Sequence, residues 1–213
     1  LFSGSSHNIE SNIRWKSVLR LGNKLEIDSS QAESVLFFAE KIYDFIVKQK
    51  LYQDTSDQLS SLSNKELLQA AAWLHECGKF ISFPRYHKHS IYLITNYRML
   101  GFSQKERLLM GLVARYHRKG KAAKKNSYCE SLSSKEIYLI NLLASIIRIA
   151  SAANRTRKKL IKDMHLEFSK KMITFRLVPN NKESLPSLDL EKMQTEKGGL
   201  EKIIGYPITI ELL

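Results

Sequence analysis

The chain has 213 residues and a formal net charge of +13, with 43% hydrophobic and 26% charged residues. That composition belongs to a folded globular domain and excludes a low-complexity linker or a disordered chain. No apolar run reaches the roughly 20 residues that cross a bilayer, and residues 1–6 have neither the basic start nor the apolar stretch of a secretory leader.

The length suits one domain with an appendage, here an N-terminal tail at 1–11, a helical body at 12–162 and a C-terminal element at 163–213. Cys77 and Cys129 are the only cysteines, which is no disulfide framework, so a cytoplasmic setting is expected. The chain begins at Leu1 without an initiator Met, as expected of a piece of something longer.

In chain order, Ala32, Val35, Leu36, Ala39, Ile42, Tyr43 and Ile46 recur at three- and four-residue steps and predict an amphipathic helix of about five turns. Ser63 with Glu66, Ser103 with Glu106, and Ser133 with Glu136 form Ser-x-x-Glu capping boxes, each predicting a helix start. Another helix is predicted from near His87, with Gly101 closing it. Ile137 to Ala153, almost entirely apolar or small, reads as a central buried helix. After Lys162 the period changes to two. His165–Phe168 and Met172–Val178 predict strands joined by a polar turn, followed by a charged helix from about Leu188 to Ile204 and a last strand at Ile208–Leu212. Gly198 and Gly199 weaken that helix. The fold class is therefore mainly α, a helical bundle carrying a small C-terminal ββαβ element.

The basic surplus is concentrated. Arg85 to Lys125 holds eleven Lys or Arg and one acid, Glu106. A second cluster comprises Arg148, Arg155, Arg157, Lys158, Lys159 and Lys162. A solvated face is the ordinary explanation of such a run, but two dense runs beside His-bearing helices favour an anion site. Candidate phosphate-binding residues are Arg85, His87, Lys88 and His89 at one helix start, and Arg115, His117, Arg118 and Lys119 at another helix end. Helix N-termini favour anions, and the guanidinium fork suits phosphate. The helix starting near His87 and the helix ending near His117 are joined through a short turn. Antiparallel neighbours of this kind bring the two groups to one face. His75 and Glu76, adjacent at a helix end, could share a metal ion; as a bare pair they are more simply a cap and a surface charge.

The ordered string Leu74-His75-Glu76-x-Gly78, His87-Lys88-His89-Ser90, Gly101-Phe102-Ser103-x-x-Glu106 and Arg115-Tyr116-His117-Arg118-Lys119 resembles the C-terminal helical domain of the exopolyphosphatase and guanosine pentaphosphate phosphohydrolase (Ppx/GppA) family. The helix around Leu142–Arg155 and the tail are similar to it too, so the resemblance covers most of the chain from about Asn12. Such domains look like relatives of the HD metal-dependent phosphohydrolases, which implies an HD-domain-like bundle. The HD pattern of His, then His-Asp, then Asp falls at Gln31, His75 with Glu76, and Ser151. Only His75 matches outright, which implies a vestigial metal site with no confident catalytic residue and no tightly bound cofactor. Magnesium is implied only for a full-length enzyme, whose chemistry the resemblance places mainly in an N-terminal actin-like domain.

These readings predict a domain that binds polyphosphate or a guanosine polyphosphate and forms a homodimer, with Ile203, Ile204, Ile208 and Ile210 as an apolar surface for self-association. The alternative is an autonomous metal-dependent HD phosphohydrolase acting on a nucleotide or guanosine polyphosphate through His75 and Glu76. Nucleic acid is disfavoured, because Tyr86, Tyr92, Tyr97 and Tyr116 sit at helical spacings that suit a core, and no membrane association is expected.

Overall fold

A computed structural model describes residues 3–52, 62–181 and 185–213, with side chains described from residue 12 onward. The helices are α1 (Ser3–Lys24), α2 (Ser29–Lys48), α3 (Asn64–Leu74), α4 (Tyr86–Asn96), α5 (Gln104–Tyr116), α6 (Ser134–Ala152), α7 (Ser187–Glu196) and α8 (Gly198–Ile204). The strands are β1 (Ile161–Ser169), β2 (Met172–Pro179) and β3 (Ile208–Leu212), in the order β1-β2-β3. The chain is mainly α with a small three-stranded C-terminal sheet. Among the described residues no helix is long and apolar enough to cross a membrane.

Each capping box forms as the sequence predicts. The serine oxygen accepts from the backbone N–H of Glu66, Glu106 or Glu136, while each glutamate accepts from the serine N–H. A cap of this kind stabilises a helix by about 1 kcal/mol. Helix α6 is buried on nearly every side and packs against α2, α5, α7 and α8, which makes it the axis of the core. Trp15 of α1 meets Trp73 of α3 edge to face, with ring centroids 5.4 Å apart.

Two local expectations are revised. Helix α1 starts at Ser3, inside the stretch 1–11 expected as a tail; no proline interrupts residues 3–24. Helix α4 ends at Asn96, where the N–H of Tyr97 bonds Leu93 O. Gly101 (φ 82°) instead occupies a separate turn closed by Phe102 N–H to Met99 O, so its left-handed conformation serves the entry to α5. The charged C-terminal helix breaks at Lys197 into α7 and α8, beside the two glycines that the sequence marks as its weak point.

Strands β1 and β2 form an antiparallel hairpin with Ser169 opposite Met172. Its two turn residues, Lys170 and Lys171, both have positive φ, as the twist of a two-residue hairpin demands. Strand β3 runs parallel to β2, placing Ile208 opposite Ile173 and Ile210 opposite Phe175. A parallel neighbour needs a crossover, and α7 with α8 supplies it. Ile204, Ile208 and Ile210 are buried within the single chain, and Ile203 is partly buried against the same core. The apolar surface expected for self-association is therefore consumed by the fold itself.

Candidate functional site

Helices α3 and α5 end in the same way. His75 and His117 are their C-cap residues, and each Nδ1–H donates to the carbonyl three residues earlier, Ala72 O and Ala114 O, at 2.6 Å. That bond fixes the tautomer and leaves Nε2 as an acceptor in both rings. The two imidazoles meet perpendicularly with centroids 4.8 Å apart. Tyr86, the first residue of α4, donates its hydroxyl to His117 Nε2 at 3.1 Å. Burial, with the charge of Glu76 nearby, pushes the Tyr86 phenol up to about 12, so it keeps the proton it donates. His75 Nε2 is buried and unpartnered.

Beside this trio opens a cleft of about 350 Å³ between the end of α5, the end of α6 and the outer face of α7. Lys79, Arg118, Arg148, Arg155, Arg157 and Lys192 line it, against two carboxylates, Glu76 and Glu196. Gln31, Phe83, Tyr86, His117, Ser151 and Ala152 complete the wall.

A network behind the cleft holds the arginine loop. Buried Asn154 donates from its amide to Gln31 Oε1 at 2.8 Å and accepts the Lys159 N–H at 2.9 Å, stapling the loop that carries Arg155 and Arg157. Asp189 of α7 accepts from both the N–H and the hydroxyl of Thr156, at 2.8 and 3.0 Å. Arg157 sits at φ 59° and bridges Glu76, at 2.5 Å, and Asp28. A non-glycine residue held in that region stores strain that the surrounding bonds must sustain. Arg148 donates to the carbonyls of Tyr116, His117 and Gly120, so this arginine caps α5. It satisfies acceptors that the helix leaves unpaired.

The four positions of the implied metal pattern lie close together: Gln31, Glu76 and Ser151 line the cleft, and His75 lies just behind it, against His117. Their donors are largely engaged elsewhere. Gln31 Oε1 takes the Asn154 amide, and Glu76 pairs with Lys79 at 2.6 Å as well as with Arg157. Burial works against the Glu76 carboxylate, but His75, Lys79 and Arg157 together hold it down at about 2. Among the described residues no group of three or more His, Cys, Asp or Glu is arranged to hold a metal ion.

Of the candidate phosphate residues, only His117 and Arg118 line the cleft. The start of α4 does meet the end of α5, and Arg118, Arg115, Lys119 and Lys88 all bear on His87. His87 itself is buried and held down to about 4 by burial first and then by those cations, so at neutral pH it carries no charge for a phosphate. Arg85 and Lys88 are exposed and His89 half-buried, while Arg115 lies over the rings of Tyr116 and Tyr128. Tyr86 and Tyr116 are buried and Tyr97 partly so, whereas Tyr92, expected in the core, is 60% exposed. Sequence reasoning missed Lys79, Lys192 and Glu196 as wall residues and treated Arg155 and Arg157 as a separate cluster. Arg155 and Arg157 lie in a run already marked as basic, whereas Lys192 and Glu196 lie on a helix with three acids to one lysine, which gives no such signal.

The three histidines make a prediction about acid. His75, His87 and His117 are each held below the ordinary 6.5, by burial first in every case. As pH falls, the unfolded chain therefore takes up protons first. Stability is intact above about 6.5 and lost progressively below it, for His87 down to about 4. Glu76 acts in the same direction in a lower window, its contribution present above 4.5 and lost as pH falls through about 2. The melting temperature is expected to decline between pH 7 and pH 5, and His87→Leu to flatten the decline. A midpoint constant over that range would contradict the assignment of three neutral buried imidazoles.

Fold and cleft together define a mainly helical domain with a strongly cationic groove. A family model described as Ppx/GppA phosphatase, domain III, matches residues 13–197, and the chain belongs to that family. It is similar to a guanosine-5'-triphosphate,3'-diphosphate pyrophosphatase of Pseudoalteromonas translucida, 32% identical over 144 residues, or 68% of this chain and 26% of that protein. Proteins of the same description from Vibrio vulnificus and Vibrio atlanticus are 25% and 26% identical over 95% and 96% of this chain. Those matches cover 38% of each of the two Vibrio proteins, so the chain spans well under half the length of these relatives.

Proposed function

We propose that the chain is the phosphate-polyanion binding and dimerisation domain of a Ppx/GppA-type cytoplasmic protein, with an HD-like constellation that no longer activates water. The observation that supports it most is the cleft, where six cations from four separate segments face two carboxylates. Opposed cations in a shared concavity raise the local concentration of polyanions, and guanidinium groups bind phosphate oxygens in pairs. The relatives' descriptions name a guanosine polyphosphate, and both that and inorganic polyphosphate fit the charge.

The donor set does not fit a divalent cation. Glu76 is neutralised by Lys79 and Arg157, the Gln31 carbonyl is committed to Asn154, and Ser151 offers a neutral hydroxyl. Catalysis then belongs to a separate actin-like domain, with magnesium used there. Dimerisation rests on the family likeness and on the β1 and β3 edges, which have no strand beyond them in the described sheet. Light scattering that returns the monomer mass at every concentration would remove it.

The decisive test is titration calorimetry of the purified chain with inorganic tripolyphosphate, together with a phosphate-release assay in magnesium. Binding is expected at low salt, to weaken steeply as salt rises, by analogy with counterion release from nucleic acid. No phosphate release is expected. Turnover with magnesium that His75→Ala and Glu76→Gln abolish would establish an autonomous phosphohydrolase instead.

A further inference from the structure

A cleft built only for phosphate leaves Phe83 unexplained. Its side chain is 67% exposed, more than any other large apolar side chain among the described residues, and it lines the cationic cleft. A turn fixes its position. Pro84 is second in that turn, Arg85 is third with φ 58°, and the Tyr86 N–H reaches back to Phe83 O at 3.4 Å. Proline at the second position and a left-handed residue at the third make such a turn stiff. The turn therefore fixes the backbone from which the ring joins the cleft lining.

Its neighbours are equally specific. The Phe83 ring lies 6.3 Å from that of Tyr86, inclined at 45°. Lys79 Nζ sits 5.5 Å from the Phe83 centroid and 5.1 Å from the Tyr86 centroid, and the Arg118 guanidinium lies 4.8 Å over Tyr86. Phe80 and Ile81, on the turn just before, are also exposed. The cleft lining thus joins the rings of Phe83 and Tyr86 to the guanidinium groups of Arg118 and Arg155.

An inorganic polyphosphate chain has nothing that would cover a phenyl face. A nucleoside polyphosphate has a flat base at one end and phosphates at the other. The geometry points to Phe83 as a specificity-determining residue that stacks on the base of a nucleoside polyphosphate whose phosphates face Arg118 and Arg155. This inference rests on the polyanion reading of the same cleft. Base–aromatic stacking tolerates different bases, because each presents a π face. It selects nucleotides over inorganic chains without selecting among bases.

Calorimetric titration of the purified chain with GTP and with inorganic tripolyphosphate, at one low salt concentration, tests it. Charge alone ranks tripolyphosphate first, because both of its ends are free to ionise. The wild-type chain is expected to bind GTP more tightly by about tenfold, a modest stacking contribution. Phe83→Ala is expected to lose that tenfold on GTP and to leave tripolyphosphate within about twofold, while Phe83→Trp keeps the GTP preference. Because the side chain is exposed, both variants should melt with the wild type. Tighter binding of tripolyphosphate than of GTP by the wild type, as charge alone requires, or a matched loss on both in Phe83→Ala, would overturn stacking and leave the polyanion reading standing. Failure of both ligands to bind would overturn the two together.

Discussion

Replacing Arg118 and Arg155 together by Ala is expected to weaken tripolyphosphate binding roughly 25-fold at low salt, whereas replacing Lys158 and Lys159 together should cost less than about threefold. A charged hydrogen bond is worth about 1.5–3 kcal/mol when shielded. Both side chains here are open to solvent, which lowers each contribution to about 1 kcal/mol. Two such losses come to roughly 25-fold at about 1.4 kcal/mol per factor of ten. Arg118 comes from the end of α5 and Arg155 from the loop after α6, yet both line one cleft, while Lys158 and Lys159 line none of it. Arg157 and Arg148 are unsuitable for this test, because the first ties Glu76 to Asp28 and the second caps α5. The measurement is calorimetric titration at two salt concentrations, with melting temperatures as a folding control. Equal losses from the two double variants would mean that the surface attracts polyanions diffusely and that the cleft is no organised site.

Gly78→Ala is expected to destabilise the fold by about 3 kcal/mol, at the upper end of overpacking costs. That corresponds to a fall of roughly 6–12 °C in Tm for a chain of this size. Gly78 has an ordinary backbone conformation, so the effect is steric. An added Cβ would lie 2.1 Å from Tyr86 O and 2.5 Å from Ser90 N, and these are backbone atoms that cannot swing aside. The contact exists because the turn after α3 crosses directly over the start of α4. There the Gly78 N–H donates to Ser90 Oγ at 3.0 Å, and Ser90 in turn donates to His75 O and Tyr86 O. Ser90→Ala, which leaves the Gly78 N–H unpaired, should cost about 1–3 kcal/mol by a different route. This crossing also positions Lys79 and the Phe83 turn, so Gly78→Ala should lower affinity in whatever fraction remains folded. A melting temperature within about 2 °C of the wild type would show that the two segments separate freely.

Much of the helical scaffold was legible in the sequence because its signals are local. Each capping box needs only a serine and a glutamate three residues apart, and all three form. The hairpin was legible for the same reason, since its two-residue turn sets the register. The end of α4 was misplaced because Gly101 signals a left-handed residue without saying which element it serves. His87 looked like a phosphate ligand by its place in a basic string. In the structure that ring is 4% exposed, and burial with the surrounding cations holds it down to about 4.

By itself the sequence determined the mainly helical class, the three capped helix starts, the order of elements in the tail and the basic character of the surface, because periodicity, caps and composition act over a few residues. Only the tertiary structure decided which cations work together. Arg118 and Arg155 lie far apart along the chain, and the packing of α5 and α7 against α6 brings them to one cleft. The same packing set Arg148 to capping α5, Arg157 to neutralising Glu76, and Gln31 to holding Asn154. A charge acquires its role from the groups that fold against it, and those contacts cross sequence distances over which local pattern carries no information.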